Sequence, residues 1–417
     1  MTGAAWKNTA LPHAVLKRFA RARRHGYAAW LWPDLPVEDW RAAVEAIADL
    51  VRRVFAGDKN PVLASGHPNA MSVAGYTSGM GPLLGLWMEH GAVRAEKAIA
   101  ECFALHLLHN RLRMERLSRV AREVTAKLRE AGIAPLVLKG MHTALRYFPE
   151  PAARPMSDID LFIPMPSMHE AERIFSGLGF RRMLRTRSPY ACDWIPPAQP
   201  QGPRTLTFVH EDDPWSIDVL GSLDKRLATG HFLKFANLLP GAEYDDWLPD
   251  TGARVMQQPL LALYLAVHVS QTLLNATLLR ILELALVVRR DTAEGTLDWN
   301  AFVRGAATIG GARFVYPALI FTNQLAPGTI PGEVIAEAAA DAPKNLRRVV
   351  GRLTVASAQP LRRHSLSERF MWASSTPESL RQVASELFVD GQGRPPGESM
   401  YRIGSKLWAL GRGRFSP

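Results

Sequence analysis

Asp158-Ile159-Asp160-Leu161-Phe162-Ile163 places two carboxylates one residue apart in an apolar run. Side chains alternate between the faces of a β-strand, so Asp158 and Asp160 share one face while Ile159 and Leu161 share the other. Adjacent carboxylates repel unless one is protonated or a cation lies between them. Magnesium is the natural cation, because it takes hard oxygen ligands and is commonly held by one or two carboxylates plus substrate phosphates. Upstream, Leu136-Val137-Leu138 leads into Lys139-Gly140-Met141, and Met141 to Phe148 has helix-compatible composition. In this strand, glycine turn and helix, Gly140 permits close backbone approach and the first N–H groups of the helix attract phosphate. Downstream, Trp215-Ser216-Ile217-Asp218-Val219-Leu220 alternates again and puts Asp218 opposite Ile217 and Val219, as a third carboxylate. A lone Asp-x-Asp is usually a solvated edge and a lone glycine a plain turn, but the three features in this order are a rarer combination.

Leu138-Lys139-Gly140 followed by Arg154-Pro155-Met156-Ser157-Asp158-Ile159-Asp160-Leu161 resembles a bacterial nucleotidyltransferase family within the DNA polymerase β-like superfamily. The close match runs from about residue 116 to 220, with looser helical similarity on both sides. The resemblance implies an α+β fold, a small mixed β-sheet of polymerase β-like palm type flanked by mainly α-helical N- and C-terminal regions. It also implies two-metal transfer of a nucleoside monophosphate from an NTP to an acceptor hydroxyl, with pyrophosphate leaving. Asp158 and Asp160 would be metal ligands and Asp218 the third acidic position. The ions would be two magnesium, with manganese as a substitute, and ATP is the expected NTP. One departure stands out: the superfamily usually carries Gly-Ser or Gly-Gly at the turn, whereas this chain has Gly140-Met141, so a hydroxyl contact to phosphate is missing.

Lys139, Gly140, Met141, Arg154, Ser157 and Arg280 are the expected nucleotide-binding positions. Lys139 and Arg154 flank the core motifs and carry fixed charge. Arg280 stands one turn from Glu283 in an otherwise apolar run, so the two would pair if buried; otherwise Arg280 would reach a phosphate. The acceptor, a small molecule, a peptide or protein, or an RNA, is left open, as is the oligomeric state. A non-catalytic nucleotide or nucleic-acid binding module on the same fold is the alternative. Met141 favours it, and the presence of three convergent acids speaks against it.

The elements that must position these groups come from the rest of the chain. At 417 residues it can bury a sizeable core and divide into several units. The expected division is a helical region at 1–115, a catalytic domain at 116–255 and a helical domain at 256–417. A content of 47% hydrophobic and 21% charged residues is ordinary for a globular chain and argues against disorder. No apolar run reaches the ~18 residues of a membrane span, and the N-terminus lacks an apolar signal core, so no membrane partner and a cytoplasmic location are expected. Cys102 and Cys192, the two cysteines, lie far apart and read as reduced thiols. The net charge of +11 would attract polyanions, a class that includes nucleoside triphosphates as well as RNA, so it does not by itself select nucleic acid.

Taken in order, Val37 to Val51 has helical apolar spacing, Asn60 to Pro82 reads as loop, and Val93 to Leu128 as a long helix broken once. Arg111, Arg113, Arg116, Arg119 and Arg122 read as its solvated, salt-bridged face. On the same helix Cys102, His106 and His109 could share a face, but nothing nearby offers a fourth ligand or the paired spacing of a zinc site. Ser167 reads as an N-cap with Glu170 three residues on. Phe180 to Leu184 and Thr205 to Val209 read as strands, and Ser188 to Arg204, with five prolines, as a loop. Pro259 opens a C-terminal helical array, and Tyr401 to Phe415 reads as a basic loose end.

Overall fold

The computed structural model describes residues 35–184, 191–199, 202–226, 231–273 and 276–357, with a few isolated positions outside them. The chain opens with helices α1 (Val37–Phe55), α2 (Pro68–Ser78), α3 (Gly81–Glu89) and α4 (Lys97–Glu130). In α1, Trp40, Val44, Ile47 and Val51 recur at three- and four-residue steps and are buried, which is what docks the helix on the core. Helix α4 lies tightly on α3: a Cβ at Gly85 would fall 2.3 Å from the Phe103 carbonyl oxygen. Only glycine permits that approach.

After α4 the chain weaves β1 (Leu136–Val137), α5 (Met141–Tyr147), β2 (Asp158–Phe162), α6 (Met168–Gly177), β3 (Arg181–Leu184), β4 (Ala191–Ile195), β5 (Ser216–Leu220), the ribbon β6 (Lys225–Arg226) and β7 (Phe232–Leu233), β8 (Tyr244–Asp246) and β9 (Arg254–Met256). A seven-stranded sheet has the order β3-β4-β5-β2-β1-β9-β8. Strand β2 runs parallel to β5, and β1 parallel to β9; the remaining pairings are antiparallel. Ile159, Leu161, Ile217, Val219 and Trp194 are buried on one side of its centre, so the alternating polar residues lie on the other.

The C-terminal helices are α7 (Leu260–Gln271), α8 (Leu278–Ala293), α9 (Trp299–Ile309), α10 (Tyr316–Leu325), α11 (Gly332–Asp341) and α12 (Lys344–Val350). Helix α7 is apolar nearly all round and buried from Leu260 to Val267, as expected of a helix enclosed on every side. Buried apolar side chains of the N-terminal helices, the sheet and the C-terminal helices join in one continuous cluster. The architecture is therefore the expected α+β one, a mixed sheet with helical flanks. Among the described residues no helix is long and apolar enough to cross a membrane.

Several local expectations are corrected. The stretch read as loop at Asn60 to Pro82 contains α2, begun by Pro68 and stopped by Gly79 at φ +76°. Helix α4 is unbroken. The proline-rich stretch contains β4, while Thr205 to Val209 is bend and irregular backbone. Ser167 precedes α6 without a capping hydrogen bond. Residues 401–415 lie outside the described residues.

Candidate metal and nucleotide site

Strands β2 and β5 carry the three acids to one place. Their parallel register pairs Asp158 with Ser216, Ile159 with Ile217 and Asp160 with Asp218, so polar residues neighbour polar residues on one face. One carboxylate oxygen each from Asp158, Asp160 and Asp218 lies within 4.8 Å of the others. Asp160 and Asp218 are buried, and Ser216 Oγ donates to Asp218 at 3.1 Å. Lys139 Nζ donates to Asp160 Oδ2 at 2.6 Å. Burial pushes the Asp160 carboxyl up; Lys139 opposes that, while Asp158 adds to it by repulsion. Burial alone would depress the Lys139 ammonium, but Asp160 and Asp158 outweigh it and hold Lys139 charged. Three hard oxygen donors converging in this way suit a divalent cation of the magnesium class.

The turn before α5 reaches the same point. Gly140 has φ +73° and ψ −92°, close to the strained γ-turn geometry that an L-residue resists. A Cβ placed there would lie 3.8 Å from Asp160 Oδ2 and 3.5 Å from Arg154 Nη1, so the glycine backbone abuts the acidic group. A separate cavity of about 1010 Å³, lined by His142, Tyr147, Asp245 and Asp291 among others, includes none of the three acids in its wall.

The family described as uncharacterised nucleotidyltransferase has a model that matches residues 85–327, more than half of the chain and all of this site. The chain belongs to this nucleotidyltransferase family. No curated protein and no solved structure matches it. The match runs from α3 through α10, so in this nucleotidyltransferase the flanking helices are part of the family pattern, well beyond the motif-bearing segment at 116–220.

The remaining sequence-predicted positions divide into two groups. Arg154 is buried and spent on Glu283: Nε and Nη2 donate to the two carboxylate oxygens at 2.9 and 2.8 Å. Thr143 Oγ1 donates to the same carboxylate. Glu283 therefore pairs with Arg154, and the expected pairing with Arg280 is not formed. The reason is reach: Arg154 enters from the turn ahead of β2 with a planar fork that matches both carboxylate oxygens, and Arg280 lies along the same helix. Met141 packs its side chain into the core, with Ser118 Oγ 3.7 Å from its sulfur, and has only its backbone to offer at the turn. Ser157 is exposed beside Asp158. Arg280 is half-buried and in no ion pair among the described residues; burial lowers its affinity for a proton, and Glu283 and Asp158 oppose this.

Other contributors escape the sequence reading. Lys225, on the small ribbon, holds Nζ 3.6 Å from the centre of the Tyr264 ring. Burial, then repulsion from Lys139 and Arg280, drives its ammonium well below the ordinary lysine range, while Asp160 opposes. His268 of α7 is lowered likewise by burial and by the cations Lys139, Arg280 and Lys225. Asp193 of β4 is in register with Asp218 and extends the acidic row by one strand. Arg113, expected on a solvated face, is fully buried: Nε donates to the Met156 carbonyl at 2.9 Å, Nη1 to Asp213 at 2.6 Å and Nη2 to Pro214 at 2.9 Å. It thus ties the segment entering β2 to the segment entering β5. The one sequence signal was its position three residues after Asn110 and four before Leu117, on the stripe of α4 that faces inward.

Proposed function

We propose that this nucleotidyltransferase moves an NMP group from an NTP, ATP in the first instance, to an acceptor hydroxyl with release of pyrophosphate. The observation that carries the reading is the convergence of Asp158, Asp160 and Asp218 on a common point beside a glycine turn. The donor set is all carboxylate, which fits magnesium, and the burial of Asp160 and Asp218 makes their charges costly unless cations offset them. When bound there, two magnesium ions would supply acidification of the attacking hydroxyl and neutralisation of charge on the leaving pyrophosphate. Asp158 and Asp160 would bind, and Asp218 would complete the acceptor side of the site.

The chain's own cations account for the phosphates. Arg280 and Lys225 have no carboxylate ion-pair partner among the described residues, and a polyanion beside the acids would supply the counter-charge that offsets the burial of both groups. Lys139, held on Asp160, preorganises that carboxylate. Arg154 does not touch substrate in this scheme; with Glu283 it props the Gly140 turn from beneath. Acceptor classes worth testing are small molecules, peptides or proteins, and RNA.

The test is incubation with each labelled NTP, magnesium and a cell extract, reading pyrophosphate and the labelled product. Asp158→Ala and Asp160→Ala should abolish both at unchanged circular dichroism; undiminished release in both variants removes the proposal. A non-catalytic nucleotide-binding module is the second reading, favoured by the core-packed Met141 at the turn. Calorimetric ATP binding without any product would select it.

A further inference from the structure

Away from the three acids, a second group of metal-ligating side chains comes together: one ligand atom each from His109, His210 and Glu211 lies within 4.8 Å of the others. His109 projects from α4; His210 and Glu211 lie on the loop before β5. The group is held in an aromatic frame. His109 stacks on Phe208 with ring centres 4.8 Å apart, and the His109 and His210 rings are 4.2 Å apart. His109 Nδ1 is buried and makes no hydrogen bond, although Glu211 Oε1 lies 3.7 Å away. A buried polar nitrogen without a partner is costly, so a native fold that keeps one points to a partner that binds it.

The neighbours leave the three ligands available. Of the cations on α4, Arg116 is engaged by the Asp212 carboxylate at 3.4 Å and by the Glu211 carbonyl at 3.0 Å, and Arg113 by three backbone carbonyls. Glu211 is partly exposed, so a water can reach an open coordination position beside it. An ion taking His210 Nδ1 would displace the Asp212 amide N–H, which donates there at 3.0 Å. His106, by contrast, turns away to Ser72 at 3.2 Å, so the sequence-level grouping of Cys102, His106 and His109 is not the one the fold assembles.

We propose that His109, His210 and Glu211 bind one divalent transition-metal ion of the zinc class. Two imidazoles and one carboxylate with an open position are a borderline-soft set that prefers zinc or cobalt to magnesium, in contrast to the all-oxygen set of the acidic site. The ion cross-links α4 to the loop that delivers β5 and Asp218, on the same stretch that Arg113 anchors through the carbonyls of Asp213 and Pro214.

The test is made in the Asp158→Ala/Asp160→Ala background, so that it does not depend on the acidic site. The full chain is stripped with chelator, dialysed against zinc in excess magnesium, and its metal content measured. One zinc per chain is expected, with a raised melting temperature, and Co²⁺ should give the d–d absorption of a low-coordinate N/O site. His109→Gln and Glu211→Gln should each weaken zinc at least tenfold, and His210→Ala should abolish it. No retained zinc in that background, or zinc retention unchanged in all three variants, overturns the proposal. Should His210→Ala fail to fold, the two glutamine variants alone decide it.

Discussion

Glu283→Gln replaces a carboxylate that is 1% exposed and grips Arg154 through both oxygens at 2.9 and 2.8 Å. The substitution keeps the shape and one acceptor but leaves the guanidinium, itself 7% exposed, without a counter-charge. Two unit charges about 4 Å apart attract by roughly 4 kcal/mol at an effective dielectric of about 20. Removing one partner of a buried pair typically costs about 3–5 kcal/mol, because the other is stranded in a poorly solvating site. Here Asp158 and Asp160 lie close enough to Arg154 to recover part of that, so a loss of about 3 kcal/mol is expected. Arg154→Met should cost about as much by stranding Glu283. The double variant Arg154→Met/Glu283→Met should recover most of the loss, since no lone charge remains. Urea unfolding followed by far-ultraviolet circular dichroism measures all three. The pair also carries a pH signature. Burial pushes the Glu283 carboxyl up, but Arg154 and Thr143 bring it below the ordinary glutamate value. A depressed carboxyl contributes stability that is present above the unfolded pKa and lost as pH falls through the folded one. The gap between wild type and Glu283→Gln should therefore narrow below about pH 4, as the wild-type carboxyl also becomes neutral. Single-variant losses under about 1 kcal/mol, or a double variant as poor as the sum of the two, would refute this reasoning.

Gly140→Ala should cost about 1–2 kcal/mol in the same assay, and should impair transfer more than stability. The added Cβ meets only ordinary contacts, so the penalty is backbone strain at positive φ, released by shifting the turn off Asp160. Arg113→Lys keeps the charge and loses the fork to three carbonyls; a loss on the order of 2–3 kcal/mol is expected, with transfer activity falling as β2 and β5 lose their common anchor. Acidification should destabilise the fold before the carboxylates titrate: burial lowers His106 to about 3 and His142 to about 4. The unfolded chain then takes up protons below about pH 6.5 that the folded chain refuses, and each histidine contributes up to about 1.4 kcal/mol per pH unit between those limits. Stability measured from pH 7 to pH 4.5 should fall accordingly; a flat profile would show these imidazoles to be accessible to protons in the fold.

Sequence alone determined what depends on local periodicity and on residue chemistry. Alternation put Asp158 and Asp160 on one strand face, and Asp218 opposite Ile217 and Val219, while the Lys139-Gly140 turn marked where a strand must give way to a helix. Helical spacing located α1, α4, α7 and α8 within a few residues. Tertiary structure decided everything that depends on which elements meet. The parallel register of β2 and β5 brings Asp160 beside Asp218, although 58 positions along the chain separate them by number. Pairing partners were chosen by reach and burial: Arg154 took Glu283, and Arg113 was drawn inside because three backbone carbonyls of converging segments needed a donor more than water needed an arginine. His109 likewise found His210 and Glu211 from a distant loop, in place of its own helical neighbours. A periodic pattern specifies which face of an element is buried, but carries no address for the group waiting on the other side.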